Sequence, residues 1–162
     1  MGIAISSAGI KVLYAVETTK GVMPTTDAVK IPDIKELPDF NVEPEKLETT
    51  TFDNLDYKTF INGLKDLSGA SAYKANLTEE LLEEWDKLVT AHEAGKENGL
   101  NTWFFIVIPK WENCCAFTGE PAKMGLPGVG VNAVYETSVY ITPTGEPRWT
   151  DSIPTVAGTN TP

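Results

Sequence analysis

Residues 78–108 read TEELLEEWDKLVTAHEAGKENGLNTWFFIVI, which sets the clearest helical pattern of the chain directly ahead of its longest apolar run. Thr78 is a good N-cap, Glu79 and Glu80 complement the positive end of the helix dipole, and Glu83 and Lys87 stand four apart. Leu81, Leu82, Trp85, Leu88, Val89 and His92 form a single apolar stripe, and Gly95 offers a natural stop. The following run, 102–108, is aromatic and β-branched and predicts a buried strand ended by Pro109. A helix with one apolar stripe must lay it on something, and the neighbouring strand says that something is a sheet.

Outward from this pair the pattern is strand after strand. Ile10, Val12, Tyr14 and Val16 share one side of a two-residue period, and 28–31 starts a second strand before Pro32. Strands are also expected over 68–76, around 116–118, and over 131–141, where Val131, Ala133, Tyr135, Thr137, Val139 and Ile141 alternate with more polar residues. Residues 56–67 mix aromatics, apolar residues and Gly63, and their conformation stays open. From Pro143 the chain is rich in Pro, Thr and Gly and is expected to fray at its end, with 151–162 as a flexible tail. The expected fold is mainly β with one α-helix: an antiparallel β-sandwich or flattened barrel with a flanking helix, in one domain over 1–150.

Composition narrows the function. Hydrophobic residues make up 41% of the 162 and charged residues 22%, ordinary values for a folded globular chain. Twenty-three acids against 13 bases leave a net charge of −10, which disfavours a groove that grips phosphates and suits a surface along which DNA passes without sticking. The apolar run 103–108 is far short of the roughly 20 residues a bilayer helix needs. No cation precedes the short apolar stretch of 1–10, so it does not read as a signal peptide, and folding in a cytoplasm is expected.

The stretch 32–56 carries eight acids against two lysines, so it supplies −6 of the −10, and it contains Pro32, Pro38 and Pro44. Prolines at that spacing exclude a helix and interrupt sheet pairing, while 47–52, with its three threonines, has the composition of a short strand. An extended arm or long hairpin is expected here, with apolar anchors at Phe40, Val42, Leu47 and Phe52. Such an arm has little reason to exist on a lone subunit and is suited to adding strands to a neighbour's sheet edge.

The search for chemistry is short. His92 is the sole histidine and falls on the helix's apolar stripe, where a packed residue is a better reading than a base. A Ser-His-Asp or Cys-His arrangement would have to use it, and a hydrolase pairing Cys114 or Cys115 with His92 is a further reading. The adjacent cysteines lack zinc-site spacing, and on a strand they point to opposite faces. The segment 125–130, GLPGVG, lacks the Lys-Ser/Thr of a phosphate loop and reads as a turn. No metal and no cofactor is expected. Trp111 and Trp149, beside prolines and charges, are interface candidates, and on a carbohydrate-binding or adhesion module they would serve as a stacking platform.

The order of elements, with KIPDIKELP at 30–38, EPEKLETTTFDN at 43–54 and GLKD at 63–66, resembles the major tail proteins (tail tube proteins) of long-tailed bacteriophages over residues 8–150. The resemblance implies a non-enzymatic subunit that forms hexameric rings, stacked into a hollow tube around a tape-measure protein and closed by terminator and tip proteins. Phage DNA would pass through its lumen without specific binding, and the protein would reside in the virion tail. It also implies inter-subunit contacts at Pro44, Glu45, Leu47, Thr50, Asp53, Leu64 and Asp66. The tubes of contractile tails and secretion systems share this logic and are not separated from it by sequence.

Overall fold

The structure, a computed structural model, describes residues 9–41, 43–53, 56–65, 67, 70–126 and 135–156. Its elements run β1 (Lys11–Val16), β2 (Val29–Lys30), β3 (Ile34–Glu36), β4 (Lys46–Glu48), β5 (Phe60–Asn62), β6 (Ala72–Asn76), α1 (Glu79–Glu97), β7 (Thr102–Val107), β8 (Cys114–Pro121), β9 (Glu136–Pro143) and β10 (Arg148–Thr150). The fold is mainly β with one helix. The main sheet runs β2-β1-β7-β8-β9-β6-β3, with β10 also beside β8, and its named pairings are antiparallel.

This sheet curls into a half-barrel because β9 changes partners along its length. Glu136 to Tyr140 pair with β6, whereas Ile141 to Pro143 pair with Pro121 to Gly119 of β8. Gly119 permits the tight crossing: a Cβ there would lie 2.8 Å from Ile141 Cγ2 and 3.3 Å from Phe104 Cδ2. Of the strand expected over 131–141, residues 131–134 lie outside the described residues, as do 127–130 of the expected turn.

The helix packs into the concave side. Thr78 accepts from the Leu81 amide at 3.1 Å as N-cap and donates its hydroxyl to Asp33 Oδ2 at 2.5 Å, tying the helix start to the entry of β3. Leu81, Trp85, Leu88, Val89 and His92 are buried, and the Trp85 indole donates to the Ala122 carbonyl at 2.8 Å. Leu82, expected in the stripe, is 46% exposed at its edge. Gly95 does not stop the helix, which continues to Glu97. Its missing side chain instead lets α1 approach β1, where a Cβ would stand 2.7 Å from Val16 Cγ1. Asn98 caps the end and Gly99, at φ 72°, takes the left-handed turn out.

A second core lies on the sheet's other side: Leu13, Ala15, Ala28, Trp103, Phe105, Cys114 and Ala116, covered in part by Met23, Ile153 and Val156. The stretch 151–156, expected as part of a flexible tail, is therefore docked. β10 adds to β8, Pro154 is buried, and Val156 bridges to Ala28, because the convex face of β1, β7 and β8 is too apolar to face water. Residues 157–162 of the expected tail lie outside the described residues. The adjacent cysteines divide as strand alternation requires: Cys114 enters this second core and Cys115 packs against the first.

Glu17 joins the end of β1 to the start of β7. Its carboxylate, 2% exposed, accepts from the Asn101 amide at 2.9 Å, the Gly21 amide at 3.2 Å and the Trp103 indole at 2.8 Å. Burial pushes its pKa up, but the N–H donors outweigh burial and hold it below the usual carboxylate range. A depressed folded-state pKa means stability that is complete above the unfolded value of about 4.3 and lost as pH falls through the folded value. Glu17→Gln is expected to lower unfolding free energy by about 1.5–3 kcal/mol at pH 7 and to flatten its decline in acid, read from urea melts across pH 3–7. Gly95→Ala is a second test. Ala gains about 1 kcal/mol in helix propensity, but overpacking against Val16 costs about 1–3 kcal/mol, so a lower thermal midpoint is expected.

Candidate assembly surface

Little of 45–64 is held by the half-barrel. β4 and β5 form a separate two-stranded sheet, pairing Lys46 with Asn62, Leu47 with Ile61 and Glu48 with Phe60. The threonines that follow β4, 49–51, and the Phe60–Ile61 pair of β5 favour extended backbone. The hairpin closes on itself: the Glu45 amide donates to the Leu64 carbonyl at 2.9 Å, the Gly63 amide donates to the Glu45 carbonyl, and the Thr49 amide donates to the Thr59 carbonyl at 2.7 Å. Toward the tip, the Thr59 amide donates to Thr50 Oγ1 at 2.9 Å.

No described residue from 43 to 65 is buried. Yet six of the twelve exposed large hydrophobics among the described residues sit here: Leu47, Phe52, Tyr57, Phe60, Ile61 and Leu64. Phe52 is wholly exposed, and Leu64 is 82% exposed at the base. Leu47 and Ile61, directly paired, share one face, while Phe60 shares the other with Glu48. The base opens on a cleft of about 590 Å³ lined by Phe40, Leu64, Leu67, Pro143, Gly145 and Pro147.

Six of the seven expected contact residues lie on or directly beside this hairpin. Pro44 leads into β4, Glu45 and Leu64 close the base, Leu47 is central in β4, Thr50 caps the inter-strand bonding, and Asp53 is exposed in a turn beyond it. Asp66 and the apolar anchor Val42 lie outside the described residues. The bounds of the arm need correction. Residues 34–36 are β3, paired with β6, and Phe40 turns inward, its ring 5.1 Å from Phe117 and 6.5 Å from Tyr73. The projecting unit is 45–64, and its return half supplies Tyr57, Phe60 and Ile61, which belong to the run 54–66 that the resemblance also places in contacts while the sequence leaves its conformation open. The alternation of Tyr57, Thr59 and Ile61 with Lys58, Phe60 and Asn62 was the available signal.

A second exposed apolar feature lies apart in sequence from the hairpin. Trp111 and Trp149, 45% and 59% exposed, meet with ring centroids 5.9 Å apart and planes tilted by 44°. Trp149 is placed by β10, opposite Cys115. Trp111 follows Lys110, whose φ of 68° is left-handed, in a turn closed by the Trp111 amide on the Ile108 carbonyl at 3.2 Å.

The candidate nucleophiles and base are packed. His92 is buried and shares a 2.8 Å hydrogen bond between Nδ1 and Thr102 Oγ1, and burial holds its pKa down. Burial raises both the Cys114 and Cys115 thiols. Among the described residues no group of three or more His, Cys, Asp or Glu is placed to hold a metal ion. No protein-family model matches the chain, and no curated protein is similar to it.

If the hairpin owes nothing to the core, Ile61→Thr and Leu64→Ser will each change unfolding free energy by no more than about 0.5 kcal/mol in dilute protein. Phe104→Ala, in the centre of the half-barrel, is expected to cost about 3–5 kcal/mol in the same urea melts. A loss above 1 kcal/mol at Leu64 would show the hairpin packing on its own subunit.

Proposed function

We propose that this chain is the tube-forming subunit of a long-tailed phage tail, whose activity is assembly into stacked rings. The observation that carries the reading is the 45–64 hairpin, a two-stranded unit with six exposed large apolar side chains and no core of its own. Isolated hairpins are marginal in water, and apolar patches of this kind mark interaction surfaces. The sequence resemblance places ring and subunit contacts on this same segment. Heterologous contacts, in which the hairpin of one copy meets a different surface on the next, generate closed rings and stacks. The net charge of −10 accords with a conduit that repels the DNA passing through it.

A second reading is favoured by one observation, the exposed Trp111–Trp149 pair, which also suits a saccharide-stacking module. The two are separated by negative-stain electron microscopy over rising concentration, comparing the intact chain with a variant in which a short Gly-Ser link replaces 45–64. Rings or hollow tubes are expected from the intact chain and none from the variant, with an unchanged circular dichroism spectrum. Equal assembly by the variant would overturn the hairpin's role. Single particles at every concentration, together with saccharide binding lost in Trp149→Ala, would overturn the tube reading in favour of the second.

A further inference from the structure

We infer that the Trp111–Trp149 pair is the acceptor surface for the 45–64 hairpin of a second copy of this chain. The inference rests on the assembly reading and names the other half of its contact. A heterologous interface needs two unlike patches on one molecule. Outside the hairpin, the exposed large hydrophobics among the described residues are Val22, Leu82, Trp111, Leu126, Tyr140 and Trp149. Of these only Trp111 and Trp149 are in ring contact, so they present one continuous apolar surface.

Three further observations favour this patch. Its composition is that of an interface centre: two half-exposed tryptophans are in ring contact, and Trp is among the side chains that dominate binding energy at interfaces. It is preorganised, since β10 pairing fixes Trp149 and the left-handed Lys110 turn presents Trp111 beside it. The hairpin also has the area to need a partner. Taking about 200 Å² for an aromatic ring, its six side chains expose on the order of 800 Å² over its two faces, and the half-exposed tryptophan pair supplies on the order of 200 Å² as the centre of the patch that one face meets. Leu126 and Tyr140 border a separate open pocket lined with Lys74, Glu136 and Ser138, a more polar surface and the natural competitor.

The test places a photo-crosslinking benzoylphenylalanine at Phe52 of the full chain, mixes isotopically light and heavy copies, irradiates at the concentration where particles form, and maps the products by mass spectrometry. Links from position 52 of one copy to 109–113 or 148–150 of another are expected. The Trp111→Ala/Trp149→Ala variant, folded by circular dichroism, is expected to need at least tenfold more protein to assemble. Particles that cross-link instead around Leu126 and Tyr140, or that form equally well from the double variant, would overturn this inference and leave the tube reading standing. Absence of particles from the intact chain in the same micrographs would overturn both. Saccharide binding abolished by the double variant, without intermolecular links, would reassign the pair to sugar stacking.

Discussion

The strand Thr102–Val107 is covered on both faces, and the rest of the molecule follows from that requirement. Phe104 and Ile106 point into the concave core beneath α1, while Trp103 and Phe105 point into the convex one. A strand with two apolar faces needs a cover on each, and this chain has a single helix to offer. The helix takes the larger core, with Trp85, Leu81 and Leu88. The convex side is left to irregular backbone: the 17–28 loop, pinned by Glu17, and the 151–156 segment, pinned at Ala28. Such backbone is tolerable there because its amides find partners, as in the Ala28 amide on the Thr155 carbonyl and the Thr155 amide on the Thr25 carbonyl.

Covering those faces uses nearly every strongly apolar segment, and 45–64 is the exception. It contains enough large side chains to join a core yet contributes none to either cluster. Backbone ladder bonds and threonine hydroxyls hold the hairpin's shape. Its apolar surface then becomes available to whatever shields it next, and the assembly reading follows from this division of labour between a closed half-barrel and an open arm.

Much of the fold was legible because its signals are local. The N-cap at Thr78, the stripe of α1 and the apolar run of β7 each declare themselves within a few residues. What failed was long-range. Gly95 reads as a stop by local rules, and only the approach of Val16, far away in sequence, reveals it as a contact glycine. Phe40 lies within an acidic, proline-rich stretch and gives no local sign that Phe117 and Tyr73 receive its ring. The tail after Pro143 has the composition of a loop, and its docking depends on a convex face that no local window displays. The candidate contact residues fall on both sides of the hairpin, whereas β5 itself escaped because a three-residue strand inside mixed sequence gives too short an alternation to stand out from its neighbours. The pairing of Trp111 with Trp149 was likewise invisible, being a product of β10 joining β8.

Under the assembly reading, charge and apolar area oppose each other at every contact. A standard interface, burying about 800 Å² on each partner, gives a gross gain of tens of kcal/mol at about 25 cal/mol per Å². Lost translational and rotational freedom removes about 4–15 kcal/mol of it, and ordering a coreless hairpin and its long side chains removes more. Copies carrying −10 each also repel, and at physiological salt that repulsion is screened beyond about 8 Å. The first pair therefore meets the full entropic cost and the repulsion for one interface, whereas the copy that closes a ring gains two interfaces for one loss of freedom. The same surface that leaves a lone subunit dispersed thus favours the closed ring over partial arcs, and a closed ring is the base on which a stack extends.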